Sequence, residues 1–226
     1  MKRILLLVLG VVITASSYSQ KKEERKLSDF EAVTVSNAIN LYLKSGNETK
    51  AVVEADGIEL DKVITEVSGG KLRISLRKNN SYRNTHVKVY LTYKSLEYIS
   101  ASSAADVYSE SVIKSDKLEI SASSAASMEL DIDVNDLDMQ ASSAGDIELS
   151  GSAGSISGSA SSAGDIDAFD LVCKRADVRA SSAGGIRINV TEEIEARASS
   201  GGSVKYKGNP ARSNTDSSSG GSVRKY

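Results

Sequence analysis

The residues "ASSAGDIEL" occupy positions 141–149, and "ASSAGDIDA" follows at 160–168. The shared motif begins seven times, at Ala101, Ala122, Ala141, Ala160, Ala180, Ala198 and Ser217. Successive starts are separated by 21, 19, 19, 20, 18 and 19 residues. A motif that returns at a nearly fixed period of this length is typical of repeat proteins, in which each unit stacks on its neighbours.

Apolar residues keep fixed places within the copies. Two residues before the motif stand Ile99, Ile120, Met139, Val178 and Ala196, with Gly158 as the exception. After it come Val107, Met128, Ile147, Ile166, Ile186, Val204 and Val223. Alternation with a period of two predicts strands with one buried face. The Ala-Gly pair between the strands predicts a corner, because glycine tolerates the backbone angles of a sharp turn.

One such unit cannot bury its own apolar side, whereas stacked copies can. At a strand spacing of about 4.8 Å, seven turns would form a rod segment about 30 Å long. The sequence therefore predicts an all-β fold, a parallel β-helix or β-solenoid with rungs of about 19–20 residues. Spacings of 18 to 21 exclude a strict hexapeptide helix, and the "GGxGxD" loops of calcium-binding nonapeptide repeats are absent.

The chain divides into three parts by composition. Residues 1–19 have the basic start, short apolar stretch and small polar end of a signal peptide, and the apolar stretch is too short to span a membrane. Residues 20–29 are charged and predict a flexible linker. Residues 30–226 form the predicted domain, with irregular strands over 30–100 and regular repeats over 101–226. We expect an exported protein, periplasmic or at the cell surface, with no membrane span in the mature chain.

Three stretches together resemble a known family. They are "FEAVTVSNAINLYLKSG" from position 30, "VITEVSGGKLRIS" from position 63, and the repeated "ASSAGDI" turns. They resemble the putative auto-transporter adhesin, head GIN domain family, over about residues 30–212. The resemblance implies a right-handed β-helix like that of pectin lyases but without their catalytic residues, and the family name implies adhesion.

Residues that could carry chemistry are few. His86 is the one histidine and Cys173 the one cysteine, too few for a zinc site. We expect His86 at a strand edge on the surface. Cys173 is expected to be a small buried hydrophobe rather than half of an intermolecular disulfide. Serines stand in every turn, so none is singled out as a nucleophile. We predict neither a catalytic site nor a cofactor, and hence a protein that is not an enzyme.

One motif position gives a weak candidate for a metal site. It holds Asp106, Asp146 and Asp165, and the last two would lie one rung apart, about 5 Å. Asp146 and Asp165 could share a hard cation through oxygen ligands. The alternative, which we favour, is that each aspartate bonds to its own turn.

A second motif position changes sign along the axis. It holds Glu129, Glu148 and Asp167, followed by Arg187, Lys205 and Arg224. Residues 20–170 carry 16 basic and 25 acidic side chains, whereas residues 171–226 carry 10 and 5. Arg187, Lys205 and Arg224 are therefore weak candidates for binding an anionic glycan or lipid surface. Opposite ends could also align copies head to tail, and ordinary solvated charge is the plainer alternative.

The function predicted is that of a non-catalytic exported module for adhesion or cell-envelope interaction, with a cell-surface glycan or an envelope protein as partner. The first alternative is an enzyme acting on polysaccharide. It would need clustered acids and bases with aromatic platforms, whereas Tyr93, Tyr98 and Tyr108 are the only grouped aromatic residues. The second is a serine ladder that binds ice or another regular surface, which requires outward-facing corners. An acidic exported protein does not favour nucleic acid as a partner. Homo-oligomers by end or side association remain open.

Overall fold

A computed structural model describes residues 21–78 and 84–226, so the predicted signal peptide lies outside the described residues. The strands are β1 (Lys21–Lys26), β2 (Ala32–Ser36), β3 (Ile39–Ser45), β4 (Lys50–Asp56), β5 (Val63–Ser68), β6 (Lys71–Leu76), β7 (His86–Tyr93), β8 (Tyr98–Ser102), β9 (Asp106–Ser109), β10 (Ile113–Ser123), β11 (Ser127–Ser142), β12 (Asp146–Ala160), β13 (Asp165–Ala180), β14 (Gly185–Ala198), β15 (Ser203–Lys207), β16 (Arg212–Ser217) and β17 (Ser222–Lys225). A 3-10 turn, Leu60–Lys62, precedes β5.

The strands stack into a β-solenoid, as the repeats predict. Each long strand, such as β11, runs along one side of the coil and continues into the other, and it pairs in parallel with the same strand of the next rung. Strand segments that lead into a serine corner form the leading face, which runs β6, β2, β8, β10 and onward to β16. Segments that follow a corner form the trailing face, from β7, β3 and β9 to β17.

Every serine corner is the same tight turn. In the copy at 141–149, Ser143 and Ala144 have φ values of 51° and 59°, and the N–H of Gly145 donates to the carbonyl of Ser142 at 2.9 Å. Two successive residues with positive φ define a type I′ turn. The N–H of Ala144 donates to the carbonyl of Ser162 in the next corner at 3.1 Å. Corners are thus linked along the axis by backbone hydrogen bonds.

The glycines of the corners have a different role from the one that we predicted. Gly145 and Gly164 stand one place after the positive-φ pair and are not themselves left-handed. A Cβ at Gly145 would lie 2.4 Å from the carbonyl oxygen of Ala122 in the preceding rung. Glycine at Gly145 allows the backbones of these two successive rungs to approach this closely. Only in the last two corners does glycine, Gly201 and Gly220, also hold a positive φ, of 75° and 76°.

Residues 30–100 belong to the same coil. Asn37 and Ala38, with φ values of 70° and 53°, form a corner between β2 and β3, and the N–H of Ala38 donates to the carbonyl of Ser103 at 3.0 Å. The rung of β2 and β3 lies between the rung of β6 and β7 and that of β8 and β9. Strands β4 and β5 pair antiparallel with β7 and β6 and cap this end.

The charged linker expected at residues 20–29 is not supported, because its residues Lys21–Lys26 form β1. This strand pairs antiparallel with β4. Arg25 anchors it by donating to the carbonyls of Val63 at 2.6 Å and Leu60 at 2.7 Å. Both sides of β1 are largely exposed, so no apolar alternation marks it in the sequence. Charged side chains on an edge strand also discourage pairing with other chains.

The core is a column of aliphatic side chains between the two faces. Gly158, the exception to the apolar pattern, is covered by its neighbours, since a Cβ there would lie 3.0 Å from Met139 Cε and 3.4 Å from Val178 Cγ1. Cys173 is buried at 1% exposure, as expected, and burial raises the pKa of its thiol to about 12. No helix in the described ranges is long and apolar enough to cross a membrane.

Candidate binding site

One outward column of the trailing face gathers the residues singled out in the repeats. Strand register aligns its members in the order Tyr90, Tyr42, Tyr108, Glu129, Glu148, Asp167, Arg187, Lys205 and Arg224. We call this set the charge column. Its neighbours are one strand spacing apart, about 4.8 Å. The column therefore runs from aromatic through acidic to basic along the solenoid axis.

The aromatic end of the charge column is a stack of three tyrosine rings, which was not predicted from the repeats. The rings of Tyr42 and Tyr90 have centroids 4.9 Å apart at 16°, and those of Tyr42 and Tyr108 are 5.3 Å apart at 21°. Rings stacked on one another cover each other's faces, so this stack offers mainly ring edges to a ligand. Burial, followed by the negative charge of Asp106, raises the pKa of the Tyr108 hydroxyl.

The aromatic grouping proposed from the sequence is only partly formed. Tyr108 joins the stack, whereas Tyr93 is a core residue at 2% exposure. Tyr98 lies on the leading face, where the ammonium of Lys71 is 4.9 Å from its ring centroid. The similar stretches "INLYL" at 39–43 and "KVYL" at 88–91 could have revealed the stack, because both place tyrosine at the same outward position.

Asp146 and Asp165, the weak metal candidates, are register neighbours on the trailing face. Arg187 lies over Asp165, with its Nη2 atom 3.3 Å from Oδ2, and its Nε atom is 3.2 Å from Oδ2 of Asp167. The positive charge beside these carboxylates is thus a guanidinium. Burial and the Asp165 carboxylate raise the pKa of Asp146, which Arg187 partly counteracts. Within residues 21–78 and 84–226, no group of three or more side chains could hold a metal ion.

The three basic candidates are adjacent in the charge column but differ in their partners. Arg187 is paired with two aspartates. Arg224 donates from Nε to the hydroxyl of Ser222 at 2.9 Å. Lys205 is exposed between these two cations and has no ion-pair partner in the part of the chain that the structure describes. The register therefore produces a local excess of positive charge centred on Lys205.

The remaining sequence candidates lie elsewhere. His86 is exposed at the start of β7, as expected. In the corner at Ser143 and Ala144 both residues are exposed, so the serines face outward, as a surface-binding ladder requires. The exposed strip is only two residues wide in each rung, which gives a line of hydroxyls rather than a plane.

Comparison with known proteins agrees with this architecture. The family model described as "Putative auto-transporter adhesin, head GIN domain" matches residues 29–210. The chain belongs to this family. No curated protein is detectably similar to the chain.

Solved structures share the fold of this head GIN domain protein. A crystal structure of a putative adhesin from Bacteroides fragilis has a TM-score of 0.84 and 21% identity, covering 93% of this chain and 98% of the other. A putative adhesin from Parabacteroides distasonis has a TM-score of 0.71 and 18% identity, with the same coverage. A putative lipid binding protein from the same species has a TM-score of 0.69 and 22% identity, again covering 93% and 98%. At these identities the likeness shows the fold alone.

Proposed function

We propose that the protein is a non-catalytic, exported binding module of the adhesin type that attaches to an anionic glycan of a cell surface through the basic end of its charge column. The observation that carries the proposal is the position of Lys205, which lies between Arg187 and Arg224 and has no ion-pair partner among the described residues. Three adjacent cations attract a polyanion and strengthen its association at low ionic strength. The adhesin family name supports a surface or exported role.

The stacked register suits a polymeric ligand. Cations on neighbouring rungs recur at about 4.8 Å, close to the length of one sugar unit, so several charges of one chain could be met at once. Binding spread over several weak contacts gains strength from their number. Lys207 and Arg212 add positive charge on nearby strands, although each lies near one carboxylate.

The test uses the purified protein and immobilised polygalacturonate, with dextran as the neutral polymer. The double variant Lys205→Glu with Arg224→Glu reverses the two cations that no carboxylate pairs within the described residues. Arg187 stays unchanged because its loss would leave Asp165 and Asp167 without their cation. The control reverses two exposed lysines elsewhere, Lys44→Glu with Lys117→Glu.

We expect salt-sensitive binding to polygalacturonate by the wild type and the control, and loss of binding by the double variant. Equal binding by both variants, or no binding by any protein, would contradict the proposal. Vesicles of phosphatidylglycerol form a further arm, in which preferential binding to vesicles would replace the glycan by a lipid surface. Reducing ends released from the polymer during incubation would instead support the enzymatic alternative.

A further inference from the structure

The regular ladder of the trailing face is interrupted beside the charge column. Between β13 and β14 the register passes from Ala168 to Val172 while the partner strand advances by a single residue. Leu171 turns into the core, whereas Phe169 and Asp170 stay outside it. A bulge of this kind redirects side chains and is frequent beside functional sites.

The bulge forms one wall of a cleft of about 480 Å³. Phe169 and Tyr226 stand side by side there, with ring centroids 5.5 Å apart at 51°. Lys207 places its ammonium 5.1 Å from the centroid of Phe169. Tyr226 as a residue is 85% exposed, so an aromatic side chain is open to a ligand at this point. This is unlike the tyrosine stack, where the rings cover one another.

The charges lining the cleft are mostly paired. Arg187 is held by Asp165 and Asp167, and Lys207 lies 3.9 Å from Asp170. Lys205 and Glu148 line the same cleft and have no ion-pair partner in the described segments. The cleft therefore offers one ammonium and one carboxylate without an ion-pair partner among the described residues, beside an exposed aromatic residue.

We infer that the cleft binds a single carboxylated sugar ring, such as a uronic or sialic acid unit of a glycan. This inference rests on the proposed function and names the ligand class for the same end of the column. The sugar carboxylate pairs with the Lys205 ammonium, its hydroxyls donate to the Glu148 and Asp170 carboxylates, and its apolar ring face packs on Tyr226. The cleft is lined by three carboxylates and three cations, so it lacks the excess of positive charge that a doubly charged phosphate would need.

The experiment is saturation-transfer NMR on the whole protein with galacturonate, glucuronate and N-acetylneuraminate, compared with the neutral sugars galactose and glucose. The variants are Lys205→Gln, Phe169→Leu and Tyr226→Ala, with Lys44→Gln as the matched control. Phe169→Leu keeps apolar bulk at the bulge. Tyr226→Ala removes an exposed ring and should not affect folding, so it keeps the test valid if Phe169→Leu fails to fold.

We expect at least one acidic sugar to bind about tenfold more tightly than its neutral counterpart, because only the acidic sugar forms the charge-assisted bond. Lys205→Gln should remove that preference, and the two aromatic variants should weaken binding about threefold to tenfold. Equal binding of acidic and neutral sugars, or unchanged affinity in all three variants, would overturn the inference.

The two proposals fail in different ways. If polygalacturonate binding depends on Lys205 and Arg224 but no monosaccharide is recognised, the cleft is not a sugar site while the proposed function stands. If polygalacturonate does not bind at all, the proposed function itself is wrong.

Discussion

The corner at Asn37 and Ala38 and the corner at Ser143 and Ala144 are the same backbone turn with different interiors. In the first, the flanking core positions hold Val35 and Ile39, and in the second they hold alanine and glycine. Asn40 pairs with Asp106, which places Ile39 at the position that becomes Gly145 three rungs further along. The turn is thus set by backbone hydrogen bonds, whereas the side chains set how closely successive rungs approach.

The largest effect is expected from removing a core side chain beside the corner at Asn37 and Ala38. Ile39→Ala should reduce the free energy of unfolding by about 3–4 kcal/mol, because Ile39 is fully buried and its loss leaves a cavity. Urea denaturation followed by circular dichroism measures the change. Ile39→Val, as the conservative control, should cost about 1 kcal/mol. A loss for Ile39→Ala no larger than that of the control would mean that the corner collapses onto the space.

Alanine introduced at a corner glycine should also destabilise the protein, because it adds atoms where there is no space instead of leaving a cavity. A Cβ at Gly164 would lie 2.5 Å from the carbonyl carbon of Ala141, so Gly164→Ala should cost about 2–3 kcal/mol through overpacking. The position already holds alanine at Ala126, so Ala126→Gly is the matched control and should cost about 1 kcal/mol or less. Thermal unfolding of both variants compares them. A neutral Gly164→Ala would show that the rungs can separate at little cost.

A smaller effect tests whether the turns are equally strained. Ala144 and Ala38 have positive φ and are both exposed, so a glycine at either position removes steric strain without opening a cavity. After the entropy that glycine gains in the unfolded chain, each change should stabilise by about 0.5 kcal/mol. Parallel urea titrations measure the two gains. A gain at only one corner would mean that the two corners differ in backbone strain as well as in the core residues that flank them.

The smallest effect concerns the outward column beside the corner, where the first region has Asn40 and the second has Asp146. The folded-state pKa of Asp146 lies above its ordinary value of 3.8. Its contribution to stability is therefore fully present below that pH and is lost as pH rises through the folded-state pKa. Asp146→Asn should be slightly more stable than the wild type at pH 7, and the difference should shrink towards pH 3.5. A difference that does not vary with pH would remove this explanation.

The repeats allowed the corners, the apolar columns and the stacked coil to be predicted, because each depends on local pattern. The chain order of the rungs could not be predicted, since β2 and β3 are inserted between later strands and periodicity carries no information on such crossings. Strand β1 was not predicted because it has no buried side and therefore no apolar alternation. Among the site residues, Arg187, Lys205 and Arg224 were found from the motif. Phe169 and Tyr226 were not, because a bulge takes the former out of the repeat register.

Gly158 fixes the order in which these similar rungs stack. Met139 on one side and Val178 on the other fill the space that its missing side chain leaves. A chain with the rungs of β11 and β12 exchanged would bring Met139 directly against Val178 and leave Gly158 facing Ile120. The units look alike in their corners, yet they are not interchangeable. The core side chains determine which rungs can be neighbours, so the rung that contains Gly158 fits only between those of Met139 and Val178.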